Sequence, residues 1–548
     1  MAPYVKLAAF FGLAKQLIVA TFAQATAGPI VDLDYIKYHG HYNDTLEINE
    51  FHGLRFAEGP LGPLRWKAPQ PYKPQNMTDA IVDATQSGPP CVQGFPQWTI
   101  SGPVQIVGSE DCLFLDVYVP ANATKGSNLP VALSIPGGGY VMGYASQSSP
   151  YALMRHSMNS FIFVNIQYRL GAYGFLGSTR YTKAGGAANV GLLDQRLAME
   201  WVQQNIGAFG GDPSRVTILG GSAGGGSVTS HLIWKGGVDK PPFRATMADF
   251  PFWQQYLREE QLAKQYDNLL ASANCSTLEC LHELPEEILK EATQTTYISA
   301  YADKAYGYGN FYYGPYVDGD LIRDLPSREF RAGHFVQVPT WTSREGYEGF
   351  TFSNQSMTTI KEETEDLRNQ FPRANEEFVE DVFGLYPQEQ FNSTFWQRLT
   401  WFGYVFALSD HLIGLTQCSD FSINCPTYYV ASSLALFGVP VYKQIFNVGT
   451  QLHGAVGPYL ADLDYAFEPG ANVTLASILR DWYVSFVVHN DPNAQSWSGV
   501  PKPIWPEYEP SGEVMTVNFT ELGAVDDRHY DNTKRCGFFW ENAGTVQN

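Results

Sequence analysis

Ser222 stands in Gly220-Gly221-Ser222-Ala223-Gly224, a Gly-x-Ser-x-Gly pattern that follows the short apolar run Val216-Thr217-Ile218-Leu219. An apolar, β-branched run reads as a buried strand, and Val228 to Trp234 reads as a helix. Strand, tight turn and helix is the context in which a serine is held at the tip of a strained elbow with its hydroxyl exposed. Small flanks are needed for so sharp a turn, and Gly220 and Gly224 supply them. A serine hydroxyl becomes a useful nucleophile only when a histidine takes its proton and a carboxylate orients that histidine. The oxyanion formed on attack also needs donors.

Those partners have candidates in the order donors, serine, acid, histidine. Pro136-Gly137-Gly138-Gly139-Tyr140 follows the strand-like Val131 to Ile135, and consecutive glycines let backbone N–H groups approach a substrate oxygen closely. A phosphate loop is the rival reading, but no Gly-Lys-Ser/Thr follows either glycine stretch and neither completes a dinucleotide fingerprint. His453, in Gln451-Leu452-His453-Gly454, comes after the strand-like Val439 to Val448. Two glutamates compete for the acid: Glu345 and Glu348, both followed by glycine, in a loop after the strand-like Val336 to Trp341.

The elements around these residues read as strand at Leu113 to Val119, at Val131 to Ile135 and at Phe161 to Ile166. A helix follows at Leu192 to Ile206, with Asp194 near its start, and then the elbow. That order predicts an α/β fold, a large mostly parallel sheet with helices on its faces. Gly53 to Phe56 and the proline-rich Pro60 to Pro74 read as ordered loops. Residues 243–313 and 354–435 read as helical, aromatic excursions over the catalytic edge. The tyrosine-dense stretch Tyr297 to Tyr316 either walls a pocket for bulky acids or packs as core.

Hydrophobic residues make up 44% and charged residues 16% of the chain, which indicates a well-buried core. A net charge of −20 disfavours nucleic acid and anionic membrane, both of which select clustered Lys and Arg. Residues 1–27 read as a secretory signal: Lys6, an apolar region from Leu7 to Phe22, and small residues through Ala27, with cleavage near 25–27. No later stretch suggests stable membrane insertion. Residues 28–548 show no linker or repeat and are expected to form one domain. Sequons at Asn43, Asn76, Asn122, Asn274, Asn354, Asn392, Asn472 and Asn518 fit a secreted glycoprotein. The seven cysteines lack zinc spacing with histidine and read as disulfides plus one left over. Neither a cofactor nor a metal is expected.

Nearly the whole mature chain resembles the type-B carboxylesterase/lipase family, the cholinesterase-like branch of the α/β-hydrolases. The resemblance rests on GLRFAEGPLGPLRWKAPQP (53–71), SEDCLFLDV (109–117), PGGGY (136–140), YRLGAYGFL (168–176) and the long stretch from Asn189 to Gly224. GPYVDGD (314–320), LHG (452–454) and RCGFFW (535–540) complete it. It implies an α/β-hydrolase fold and a serine hydrolase acting on small or lipid-like carboxylic esters. Ser222 would be the nucleophile, His453 the base, and the N–H groups of Gly138, Gly139 and Ala223 the oxyanion hole. It selects Glu348 over Glu345, because Glu348-Gly349-Phe350-Thr351-Phe352 fits the family's Glu-Gly-x-x-Phe. The family's bridges imply Cys91–Cys112 and Cys275–Cys280. The family's third bridge suggests Cys425–Cys536 with Cys418 free, the local alternative being Cys418–Cys425.

Two positions depart from the family. Gly221 replaces the acidic residue usual before the serine, and Tyr347 stands where an acid is common before the glutamate. Two other functions compete with a secreted esterase. One is an interfacially activated lipase, disfavoured because the family's lid loop, here Cys91 to Cys112, is short. The other is a non-catalytic cholinesterase-like binding protein, disfavoured because every triad position is filled.

Overall fold

The computed structural model describes residues 28–74, 80–238, 240–387, 420–509, 512–518 and 522–548. In chain order the first strands are β1 (Ile30–Asp32), β2 (Lys37–His39), β3 (His41–Asn43), β4 (Ile48–Arg55), β5 (Ile81–Asp83), β6 (Phe114–Pro120) and β7 (Leu129–Ser134). There follow β8 (Ile162–Ile166), β9 (Gly211–Gly221), β10 (Ala245–Asp249), β11 (Thr340–Glu345), β12 (Val441–Asn447), β13 (Glu513–Asn518) and β14 (Leu522–Asp526). Strands β1, β2 and β5 form a small sheet. The other eleven form one large sheet in the order β3-β4-β6-β8-β7-β9-β10-β11-β12-β13-β14. From β8 to β13 every neighbour is parallel, and the edges beyond are antiparallel.

Parallel strands buried on both faces are mostly apolar, and β8 (Ile-Phe-Val-Asn-Ile) is buried throughout, its one polar residue, Asn165, donating to Ser148 O (3.0 Å). Its alternate residues feed two cores: Ile162, Val164 and Ile166 pack on one face, Phe161 and Phe163 towards the other. Helix Val190–Asn205 covers the first face. Its Asp194 accepts from Arg169 Nε (2.8 Å) and Nη2 (2.7 Å), a buried fork-to-fork pair that pins the Tyr168–Leu176 stretch.

The mostly parallel sheet flanked by helices agrees with the expectation from sequence, but several local readings are corrected. Ala245–Asp249, inside the stretch read as helical excursion, is a central strand. Ala-Thr-Met-Ala-Asp lacks a strong β signal, and pairing on both sides with β9 and β11 overrides its propensity. The strand expected at 336–341 runs instead from Thr340 to Glu345, where Thr340 pairs with Thr246 on one side and Val441 on the other. Gly53 to Arg55, read as loop, ends β4 after an irregularity between Phe51 and Leu54. The helix expected to start at Val228 begins at Ala223, despite Gly224, Gly225 and Gly226. Glycine is a poor helix former. Here, a Cβ at those positions would meet Ile135 O at 2.2 Å, Asp249 O at 2.6 Å and Tyr140 Oη at 2.2 Å. The helix is pressed onto the sheet edge, and only glycine fits. Of the tyrosine-dense stretch, Tyr297, Tyr312, Tyr313 and Tyr316 are buried core, while Phe311 lines the main cavity.

Disulfides join Cys91–Cys112, Cys275–Cys280 and Cys425–Cys536. Cys418, like the signal residues and the sequons Asn76 and Asn392, lies outside the described residues. The third bridge closes 111 residues and ties helix Cys425–Leu436 to helix Lys534–Glu541. Loop-closure entropy for so long a loop is worth about 4–5 kcal/mol. Cys536→Ser should therefore lower the unfolding free energy by roughly 3–5 kcal/mol in denaturant titration. Non-reducing peptide mapping of the parent should recover a Cys425–Cys536 peptide; a Cys418–Cys425 peptide would contradict this pairing.

Candidate active site

The carboxyl ends of β7, β9, β10, β11 and β12 lie side by side, and each is followed by one of the residues singled out from the sequence or by a neighbour of one. After β9, Ser222 takes φ +59 and ψ −127, a conformation L-residues rarely adopt, and helix Ala223–Leu232 starts at once. The turn is tight because Gly220 and Gly224 nearly touch: a Cβ on Gly220 would meet Gly224 C at 2.6 Å. Two hydrogen bonds hold it. Ser222 N–H donates to Asp249 O (3.1 Å), and Phe252 N–H donates to Ser222 O (3.0 Å).

After β7, Gly137 to Gly139 curl beside the serine. A Cβ on Gly137 would meet Gly221 O at 2.6 Å, and Gly138 and Gly139 take φ +115 and +62. The backbone N–H groups of Gly138, Gly139 and Ala223 donate to no acceptor among the described residues.

After β12 and β11 come His453 and the two glutamates. Glu348, fully buried, places Oε2 2.5 Å from His453 Nδ1. Its other oxygen, Oε1, accepts from Glu345 N–H (2.6 Å). The Glu345 carboxyl turns elsewhere and accepts from Val456 N–H (3.0 Å). Tyr347 joins the two loops, donating its N–H to Gln451 O (2.6 Å). His453 Nε2 has no partner among the described residues. Phe250 and Phe352 pack edge-on against the imidazole, with centroids 4.8 and 5.0 Å away.

Ser222, His453, Gly138 and Gly139 share one cavity of about 590 Å³. Its walls are largely apolar and aromatic: Trp98, Met142, Phe163, Phe250, Phe311 and Phe352 among them. Such a cavity suits a small organic ligand fixed by a few polar groups. Sequence reasoning missed Trp98, Phe250 and Asp249, and it quoted Phe352 only as part of the glutamate motif. Asp249 and Phe250 fell in the stretch read as helical, and no local motif marks them.

Asp249 changes the meaning of Gly221. The two are direct partners across β9 and β10, so a carboxyl absent before the serine is present one strand away. A side chain at Gly221 would meet the Phe250 ring at 2.6 Å, so that ring occupies its space. Burial pushes the Asp249 carboxyl up to about 6, opposed by hydrogen bonds from Ser343 Oγ (2.6 Å) and Trp341 Nε1 (2.9 Å).

Of the described sequons, Asn122, Asn274 and Asn472 are exposed, while Asn43, Asn354 and Asn518 are half-buried. Asn43 donates its side-chain N–H to Glu50 (2.9 Å), and Asn472 accepts from Leu475 N–H as a helix cap. Among the described residues no helix is long and apolar enough to cross a membrane.

The carboxylesterase family model matches residues 27–539. Carboxylesterase patB of Penicillium expansum is 30% identical, covering 95% of this chain and 98% of the relative. Secreted lipase 1 of Botryotinia fuckeliana is 29% identical, covering 88% and 87%. Among solved structures, Aspergillus niger EstA superposes with a TM-score of 0.79 at 26% identity, over 95% of this chain and 99% of that one.

Because the Asp249 value is raised on folding, the native state holds a proton that the unfolded chain releases between about pH 4 and 6. Stability is thus lost as pH rises through that window. Asn retains an acceptor for Trp341 and Ser343 but cannot ionise. Thermal unfolding of Asp249→Asn should match the parent near pH 4 and exceed it by roughly 2–3 kcal/mol above pH 6. Parallel pH curves for the two proteins would contradict this.

Proposed function

The chain belongs to the carboxylesterase family and is a carboxylic-ester hydrolase; from that premise we propose that it is a secreted serine esterase using a Ser222–His453–Glu348 triad and an acyl-enzyme. The observation that carries the triad is His453 itself. One ring nitrogen is tied to buried Glu348, and the other is unpaired in the cavity that Ser222 also lines.

In this mechanism His453 Nε2 takes the Ser222 proton as Oγ attacks the ester carbonyl. Glu348 keeps Nδ1 protonated and stabilises the imidazolium. The N–H groups of Gly138, Gly139 and Ala223 receive the oxyanion. The imidazolium then protonates the departing alkoxide, leaving Ser222 acylated. Water attacks the acyl-enzyme with His453 again as base, and the acid is released.

An esterase fits better than an interfacially activated lipase. The Cys91–Cys112 loop is fastened at several points. Gln294 exchanges two hydrogen bonds with Phe95, Gly94 N–H donates to Val141 O (2.7 Å), and Trp98 Nε1 donates to Asn310 O (2.6 Å). Opening it as a lid would break all of these. Activity on p-nitrophenyl, triglyceride and aryl esters separates the readings.

Secretion is supported by the signal-like residues 1–27, the disulfides and a relative named as a secreted lipase. Residues 28–548 are read as one α/β-hydrolase domain, since strands from both ends of the chain, β3 and β14, edge the same sheet. N-terminal sequencing of protein from culture medium should begin near residues 26–28; an intact Met1 would count against the signal.

Ser222→Ala should abolish ester hydrolysis, and an organophosphate should label Ser222 stoichiometrically. Glu348→Gln should lose on the order of a thousandfold or more in turnover with the fold intact by circular dichroism. Label on another serine, or a Glu348→Gln variant with parental turnover, would overturn the assignment.

A further inference from the structure

We propose that Glu345 is a positioning residue for His453 and Glu348, joining the strand end that carries the acid to the loop that carries the base; this rests on the triad proposed above. Glu345 touches Glu348 and the loop that follows His453 through different atoms. Its N–H donates to Glu348 Oε1 (2.6 Å), which turns Oε2 towards His453 Nδ1. Its carboxylate end accepts from Val456 N–H (3.0 Å), three residues beyond His453. One residue therefore fixes the acid by its backbone and the histidine loop by its side chain.

Glu345 is itself immobile. It is fully buried at the end of β11, paired with Phe446 of β12. Arg344 Nη1 donates to its carbonyl (2.9 Å) while the same guanidinium holds buried Asp531. The titratable and charged groups that act on its carboxyl are Glu348, Asp249 of β10 and Tyr459 of helix Gly457–Ala461, with Arg344 acting from the opposite face of β11. Burial first, and then the neighbouring Glu348 charge, push Glu345 well above the ordinary carboxyl range. Burial in this apolar, acid-lined site therefore favours the neutral form of Glu345.

A neutral carboxyl has one O–H to place. Glu345 Oε2 and Gln444 Nε2 have no hydrogen-bond partner among the described residues. Asp249, Glu345 and Gln444 also line one cavity of about 10 Å³. That is close to the room one water needs, and such a water has three polar neighbours. Glutamine at 345 offers the same acceptor to Val456 and a donor in place of the O–H.

The test is turnover per active site, counted by organophosphate titration, for parent, Glu345→Met and Glu345→Gln, with Ser222→Ala and Glu348→Gln alongside. Methionine fills the space but cannot accept from Val456. It should lower kcat by roughly tenfold to a hundredfold, the scale of a small misplacement of reacting groups, with KM within about twofold. Glutamine should recover turnover to within a few-fold of the parent. Should Glu345→Met yield too few titratable sites, Glu345→Asp, one methylene too short for Val456, should show the same fall in kcat. The proposal is overturned if the Met or Asp variant keeps parental kcat, or if Gln falls as far as Met. Activity surviving in Ser222→Ala or Glu348→Gln would instead remove the triad on which the proposal stands.

Discussion

The structure depends on a strained backbone at Ser222. A positive φ at a non-glycine residue costs on the order of 1–3 kcal/mol and persists only where the surroundings over-determine it. Here they do. The end of β10 and the loop after it bond to the N–H and the carbonyl of Ser222, so the serine cannot relax without breaking two hydrogen bonds. Gly220, Gly224 and Gly137 let three backbones converge within contact distance, and β7, β9 and β10 must keep their mutual register for these contacts to exist. The sheet is therefore the device that holds one hydroxyl at its edge.

A second constraint holds the other half of the site. Arg344 and Lys443, on neighbouring strands β11 and β12, are fully buried with Asp531 and Asp527. Lys443 Nζ bridges both aspartates, and Tyr508 donates to Asp527 (2.7 Å). Buried ions are costly to desolvate and costlier to leave unpaired, so any slip of β11 against β12 or of the C-terminal loop is strongly opposed. Arg344 and Glu345 are consecutive and point to opposite faces. The network on one face thus fixes the strand whose other face carries the glutamate that meets Glu348 and Val456.

Between these anchors the cavity has an unusual chemistry. Gly221 leaves no charge beside the serine, and the Phe250 ring fills the space and backs the imidazole. The carboxyl function moves to Asp249, held by an indole and a hydroxyl, with burial raising it to about 6. The rest of the cavity wall around Ser222 is largely apolar and aromatic.

The sequence alone marked the strand–turn–helix around Ser222, the glycine run after β7, His453 and the strand-helix order around them. Each is a local matter: small residues where backbones crowd, β-branched runs where strands are buried, and motifs whose spacing is set by a single turn. Resemblance to a family then separated Glu348 from Glu345, which spacing by itself left open. What only the tertiary structure decided was everything that depends on neighbours distant in the chain. Ala245–Asp249 became a strand because β9 and β11 offered partners on both sides, against its own weak propensity. Gly224 to Gly226 became helix because packing on Ile135, Asp249 and Tyr140 tolerates nothing larger. Asp249 became the partner of Gly221 through a register no local pattern encodes. Glu345, three residues from Glu348, acquired its place from Val456, 111 residues away, and only folding brings that N–H to its carboxyl.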